Sequence, residues 1–312
     1  MNIIFDFALV VLGIVLLNLG ANWLVDGSSK IAANLGVRPL LIGLTVVALG
    51  TSTPEFVVSV VAAVAENLDG MSIGNVIGSN IANIGLILGV SATMAPLAVD
   101  RQILKGDLVI LGLVTLLLIA IAGNGVVSHW EGWLLLAAGV LFFWNVLHRA
   151  NNDKKRNGNN VDKSDPTWTK SIIEVVGGLA ILIASSNWLI VDHSVPIMEW
   201  LGVSDAVIGM TIIAIGTSLP ELAASVASIS KGQFEIGVGN VIGSNIINTL
   251  IVLGGVAAIK EINAVVNVEL GVQLFMTLML YPLFKTTGRM QRFVGAGLLV
   301  FYTIFILWSY IK

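Results

Sequence analysis

"TVVALGTSTPEF", residues 45–56, decides how the whole chain is read. It interrupts an apolar run from Leu40 to Ala65 with Thr51, Ser52, Thr53, Pro54 and Glu55 in succession. Proline has no N–H, and its ring crowds the carbonyl four residues back. The carbonyl of Gly50 is therefore predicted to lose its helical partner. A carboxylate at mid-membrane costs roughly 3 kcal/mol or more, and by default marks function. Taken singly, Pro54 also reads as a plain helix kink and Glu55 as a protonated, hydrogen-bonded structural group.

The stretch recurs. Residues 211–222 read "TIIAIGTSLPEL", 166 residues further on. Upstream, "LGV" at 35–37 returns at 201–203, and "GNVIGSNI" at 74–81 returns unchanged at 239–246. Matched motifs in the same order identify an internal duplication. The copies agree most closely at their most polar residues, which a purely structural duplication has no need to preserve.

Composition gives the setting. The 312 residues are 56% hydrophobic and 11% charged, with mean hydropathy +0.93; a soluble domain carries about 25% charged residues. This is the composition of an all-α integral membrane protein. Ten apolar spans are predicted, near 5–25, 38–65, 72–96, 103–122, 130–148, 171–191, 207–229, 236–259, 264–284 and 292–311. The first lacks a basic leader and reads as a retained span. The polar stretch 149–170 reads as a flexible linker between a first repeat, 1–148, and a second, 171–312. Fourteen of the sixteen Lys and Arg residues fall on one side if the N-terminus is outside. The charge bias thus places both termini outside and the linker in the cytoplasm. Five spans separate matched motifs, an odd number, so the two halves are inverted and meet head to tail. Secondary transporters use this plan, with broken helices and a substrate site at the repeat interface.

Several classes are excluded. There is no cysteine, hence no disulfide or thiolate metal site. A net charge of −3 gives no nucleic-acid signal, and "GNVIGSN" lacks the Gly-Lys-Ser/Thr of a nucleotide-binding loop. Neither an enzyme nor a cofactor is expected; the partners are inorganic cations and the lipid bilayer. The sequence does not define an oligomer.

The polar residues fall on helix faces. Thr51 and Glu55 are four apart, as are Thr217 and Glu221, so each pair shares a face. Hydroxyls, bared carbonyls and carboxylates are hard oxygen donors, suited to Ca²⁺ or Na⁺. Asn75, Ser79 and Asn83 form one stripe, matched by Asn240, Ser244 and Asn248. Ser79, Asn83, Ser244 and Asn248 are candidates to complete an ion cage. For Asn75, Asn80, Asn240 and Asn245, interhelical hydrogen bonding is an equal reading. Gly74, Gly78, Gly239 and Gly243 would allow close helix approach.

The two "GTS-PE" and two "GNVIGSN" signatures resemble the α-repeats of the sodium/calcium exchangers of the calcium/cation antiporter superfamily, in their short prokaryotic form. The resemblance spans the whole chain and implies Na⁺/Ca²⁺ antiport by alternating access, with sodium entry driving calcium out. It implies that Glu55 and Glu221, with the carbonyls of Thr51 and Thr217, hold calcium. It assigns Ala48, Thr51, Ser52, Glu55, Ser79, Ala214, Thr217, Ser218, Glu221 and Ser244 to sodium, puts Asn83 and Asn248 at the centre, and makes spans 1 and 6 the gating pair. Many relatives carry Asp where this chain has Asn248. With two carboxylates rather than three, a potassium-independent exchanger is expected. The proton-coupled branch carries an acid where Gly78 and Gly243 stand, which favours sodium; calcium/proton antiport by the same site is the alternative, and a passive cation channel or a membrane scaffold the remote one. Thr53 is an extra hydroxyl near the site, replaced by Leu219 in the second copy. Asp26 and Asp192 read as gating groups or solvated interfacial acids. Trp23, Trp130, Trp188 and Trp308 fit an interfacial belt, and the three histidines show no metal spacing.

Overall fold

Inside a bilayer no water is available for exposed backbone groups, so apolar spans must close their own hydrogen bonds as helices. The computed structural model describes residues 3–65, 68–98, 106–157, 167–201, 214–264, 267–287 and 289–311. Among them ten helices follow one another: α1 (Ile3–Leu35), α2 (Pro39–Ala65), α3 (Asp69–Met94), α4 (Leu108–Ala122), α5 (His129–Asn157), α6 (167–200), α7 (214–230), α8 (Phe234–Ile259), α9 (Asn267–Thr287) and α10 (Arg292–Ile311). Among the described residues seven are long and apolar enough to cross a membrane, and 108–122 and 268–284 are shorter apolar helices. The expected start of the seventh span, 207–213, lies outside the described residues, as do Arg101 and Lys105.

Two boundaries differ from expectation. Helix α1 continues to Leu35, well past residue 25, because no proline intervenes and Gly27 stays helical against α6; Gly36, with its φ of +66°, ends it. Helix α5 continues to Asn157, because the polar run after Leu147 contains neither Gly nor Pro before Gly158. Together with the start of α6 at Thr167, this makes both ends of the expected linker helical. Residues 158–166 lie outside the described residues.

Helices α3 and α8 form the centre: 72% and 78% of their apolar windows are buried, against 22% for α1 and 11% for α10. Helix α8 lies directly on α2. A Cβ at Gly243 would stand 2.6 Å from the Leu44 carbonyl oxygen, and one at Gly239 would stand 2.7 Å from that of Leu40. The matching contacts of Gly74 and Gly78 would fall near 206–210, outside the described residues. Helices α1 and α6 pair along a second glycine seam. Gly13, Gly20 and Gly27 recur every seven residues, and a Cβ there would stand 2.9 Å from Leu189 Cβ, 2.9 Å from Gly178 O and 2.6 Å from Ser171 O.

Two short antiparallel ladders close the ends of the bundle. Strand β1 (Leu97–Ala98) pairs with β4 (Arg289–Met290), and β2 (Val126–Val127) with β3 (Ile262–Asn263). Strands β1 and β3 follow matched helices, α3 and α8, and each pairs with a strand from the other half.

Candidate cation site

Both signature helices break at the same point. Ser52 and Ser218 leave the helical region, with φ/ψ of −79°/5° and −88°/2°. Pro54 and Pro220 lie in the first turn of the segment that follows, where a missing N–H is tolerated. The carbonyls do not all become bare, as the proline argument expects. Backbone N–H groups at the break turn back on Ala48 and Gly50, so the tighter turn recovers the Gly50 acceptor. In the second copy, Ser186 of α6 donates to the Gly216 carbonyl at 2.6 Å.

Glu55 and Glu221 thus open new helical segments inside the core, both fully buried. Each is held by the other copy. Ser218 Oγ donates to Glu55 Oε1 at 3.4 Å, and Ser52 Oγ donates to Glu221 Oε1 at 3.2 Å. The asparagines of α3 and α8 support the two breaks in the same reciprocal way. Asn75 donates to the Glu55 carbonyl at 3.1 Å and to Ser59 Oγ at 2.9 Å. Asn240 donates to the Glu221 carbonyl at 3.3 Å and to Ser225 Oγ at 3.0 Å. Thr51 Oγ1 then donates to Asn240 Oδ1 at 3.2 Å, and Thr217 Oγ1 to Asn75 Oδ1 at 3.5 Å. The threonine hydroxyls therefore orient asparagines across the repeat boundary. Of the two readings open for Asn75 and Asn240, interhelical hydrogen bonding is the one observed.

A set of buried oxygens remains without a hydrogen-bond partner among the described residues: Glu55 Oε2, Glu221 Oε2, Ser244 Oγ, Asn83 Oδ1 and Asn248 Oδ1. An unpaired buried acceptor is costly, and two unpaired carboxylates are far more so. Oxygens of this kind are what hard cations take, six to eight of them in the case of Ca²⁺. Ser79 accepts or donates across to Ser218 at 3.4 Å. The Ala48 carbonyl already accepts the Ser52 N–H at 3.0 Å, and the Thr51 hydroxyl lies 3.4 Å from it, a longer alternative to its bond to Asn240. Ala214 opens the described part of α7.

Thr53 corrects the sequence reading. It is exposed, not in the site, and its hydroxyl is satisfied by the Leu49 carbonyl at 3.0 Å. Neighbouring Leu49, Phe56, Val57, Val61 and Val64 are exposed too. The matched part of α7 has a different surrounding. Leu219, Leu222, Ala223 and Val226 are half-buried, facing Ile14, Leu17 and Ala21 of α1 across a cavity of about 450 Å³. Below it, Lys231 pairs with Asp26 at 2.7 Å and donates to the Asn22 carbonyl at 3.1 Å. Asp26 is thus an ion-pair partner, while Asp192 is exposed. Residues 64–67, at the matched end of α2, read Val-Ala-Glu-Asn and offer no lysine. At the opposite end of the α1–α6 pair, His193 binds Asp6 at 2.8 Å. Sequence reasoning missed the α1–α6 seam, although its seven-residue glycine spacing was visible; Ser186 and the Lys231–Asp26 contact carried no local signal.

Ten helices in two inverted halves, broken at paired glutamates in the middle of the core, define a membrane transporter rather than an enzyme. Comparison with known proteins names the kind. The chain matches the family described as "Sodium/calcium exchanger protein" over residues 5–147 and again over 170–311. It is 32% identical to the sodium/calcium exchanger MaX1 of Methanosarcina acetivorans, covering 96% of this chain and 97% of that protein. It is 35% identical to the inner membrane protein YrbG of Escherichia coli, over 79% of this chain and 78% of that one. Among solved structures, the sodium-calcium exchanger NCX_Mj soaked with 2.5 mM Na⁺ and 1 mM Sr²⁺ superposes with a TM-score of 0.88 at 35% identity, covering 98% of this chain and 99% of that one. The chain belongs to the sodium/calcium exchanger family.

Proposed function

We propose that the chain exchanges Na⁺ for Ca²⁺ across its membrane by alternating access, with sodium entry driving calcium out. The observation that carries this is the reciprocal pair: two fully buried glutamates, each held by the other repeat's serine, each with one carboxylate oxygen left over. Two negative charges match one Ca²⁺ or two of several Na⁺. The empty cage resists translocation, because two uncompensated carboxylates would move through hydrocarbon; a loaded cage does not. That difference couples the two fluxes. The calcium ligands are Glu55 and Glu221 with the carbonyls of Thr51 and Thr217. Ser52, Ser79, Ser218 and Ser244, with the Ala48 and Ala214 carbonyls, serve flanking sodium, and Asn83 and Asn248 sit between. With no third acid at 83 or 248, exchange is independent of K⁺. Sodium rather than proton coupling is favoured by Gly78 and Gly243, which leave the two GNVIGSN motifs without an acid.

The charge bias places both termini outside, so α1 and the second half of α7 meet on the cytoplasmic side. The Lys231–Asp26 contact then closes the inner passage while the outer half of α2 stays uncovered. The glycine seam lets α1 and α6 move as one gate over the core. The test is sodium-gradient-driven ⁴⁵Ca²⁺ uptake into proteoliposomes, with Na⁺, K⁺ and H⁺ gradients varied separately. Uptake that ignores the sodium gradient sinks the proposal, and uptake driven by a pH gradient alone would assign proton coupling instead.

A further inference from the structure

The two "GNVIGSNI" motifs are identical, yet the residues just after them are not: the first continues Ala82-Asn83-Ile84, the second Ile247-Asn248-Thr249. Their hydrogen bonds differ accordingly. Asn245 Nδ2 donates to the Asn80 backbone carbonyl at 3.3 Å. That fixes Asn245 Oδ1 on the opposite side, where it accepts Asn83 Nδ2 at 2.8 Å. Asn83 is thereby anchored through its NH₂, and its Oδ1 is turned away with no partner among the described residues. The mirror image of this chain would run from Asn248 Nδ2 to Asn80 Oδ1, and from Asn80 Nδ2 to the Asn245 carbonyl. It is not made. The Thr249 hydroxyl stands in its place, donating its one proton to the Asn245 carbonyl at 3.0 Å and accepting Asn80 Nδ2 at 3.1 Å. A hydroxyl whose proton is committed can only accept a second bond, so the orientation of Asn80 is settled. Asn80 Oδ1 is left over, and both polar atoms of Asn248 are without partners among the described residues, although Asn248 is fully buried.

We propose that Thr249 is a positioning residue that makes the two central asparagines unequal, and so sets how tightly the site holds Ca²⁺. The proposal rests on the calcium site described above. Asn83 presents a fixed oxygen. Asn248, unanchored, can turn either its oxygen or its NH₂ toward a cation, and an NH₂ subtracts a ligand. Ca²⁺, which needs the larger number of oxygens, is affected more than Na⁺. Ile84 cannot insert a hydroxyl, which is why the first half keeps its anchor.

The test is calcium Kd by calorimetry on the purified full chain, with sodium competition measured alongside. Thr249→Val keeps the shape, removes the hydroxyl and lets the mirror bond close. One hydrogen bond's worth of anchoring tightens calcium about fivefold relative to sodium. Thr249→Ser, which restores the hydroxyl, returns the ratio towards wild type. Ile84→Thr inserts the same bridge in the first half and is expected to weaken calcium relative to sodium. An unchanged calcium-to-sodium ratio in Thr249→Val, or a Thr249→Ser ratio displaced as far as that of Thr249→Val, overturns the proposal. These are binding measurements, so a protein that binds calcium with the expected variant pattern but fails to exchange it against sodium would sink the exchange reading and leave this one standing. A wild-type chain that binds no calcium would overturn both.

Discussion

The second halves of α2 and α7 are copies of one another, and they live in different surroundings. Both follow a break at serine, both open with Pro and Glu, and both carry a serine four residues on, Ser59 and Ser225. Yet α7 is covered by α1 and tied at its end by Lys231, whereas Phe56, Val57, Val61 and Val64 of α2 are exposed. The Pro, Glu and Ser that the two segments share cannot by themselves dictate opposite surroundings. On the alternating-access proposal the difference belongs to the conformation of the whole: α1 rests on one copy, and the other is uncovered. At one varying pair the side chain matches its surroundings. Leu219 packs beside α1, while its counterpart Thr53 is exposed.

The largest expected effect tests what the halves share. Glu55→Gln and Glu221→Gln should each lower sodium-dependent ⁴⁵Ca²⁺ uptake at least about a hundredfold, since each removes half of the charge that offsets a buried divalent ion. Near wild-type uptake in either one would show the copies to be unequal at the carboxylates. Next come the gate helices. Gly178→Leu would drive a side chain into α1, where even a Cβ would stand 2.6 Å from the Leu24 nitrogen. Overpacking of this kind costs about 1–3 kcal/mol; a fall of several degrees in the melting temperature of the purified protein is expected, together with lost transport. An unchanged melting point would mean that α1 and α6 are not tightly seamed.

Smaller effects separate the copies. Ser186→Ala strips the Gly216 carbonyl of its hydroxyl partner, a loss of about 1–3 kcal/mol for a buried acceptor, visible as reduced thermal stability. The matched position on α1 is Ala21, so only the second repeat has this contact to lose. The smallest change is Lys231→Ala. Its pair is solvent-exposed and worth about 0–1 kcal/mol, too little to alter stability much but enough to bias a gate. The chain has no cysteine, so single cysteines report cleanly. Val57→Cys should react with an impermeant maleimide from outside. Ala223→Cys should react poorly from inside until Lys231→Ala is added. The reverse pattern would invert the assignment of the two passages.

How far the sequence could be read depended on the range of each interaction. Ten spans follow from apolar length, and the inversion from an odd number of spans between motifs. Glu55, Glu221, Ser52 and Ser218 stood out because their polarity is expensive where it lies. Thr53 misled for the same reason: adjacency along the chain does not fix the face a side chain presents, and residue 53 points away from residues 51, 52 and 55. Thr249 was invisible because its meaning depends on Asn80 and Asn245, 169 and 4 residues away. The ends of the linker were misjudged because a polar stretch free of Gly and Pro continues a helix already begun. The β ladders, two residues per strand, are too short to leave a period.

Those ladders have a consequence for biogenesis. Leu97 pairs with Met290, and Val127 with Ile262. Each half therefore finishes its own end-loops only by borrowing a strand from the other. A ribosome that has released the first five helices has made a half whose strands β1 and β2 still await β4 and β3. The last contact to form at one end, β1 with β4, must wait until the chain is almost complete. Maturation is then a mutual clasp rather than the docking of two finished halves. Co-expressed halves, severed between 158 and 166, should assemble with one another in preference to pairing with themselves.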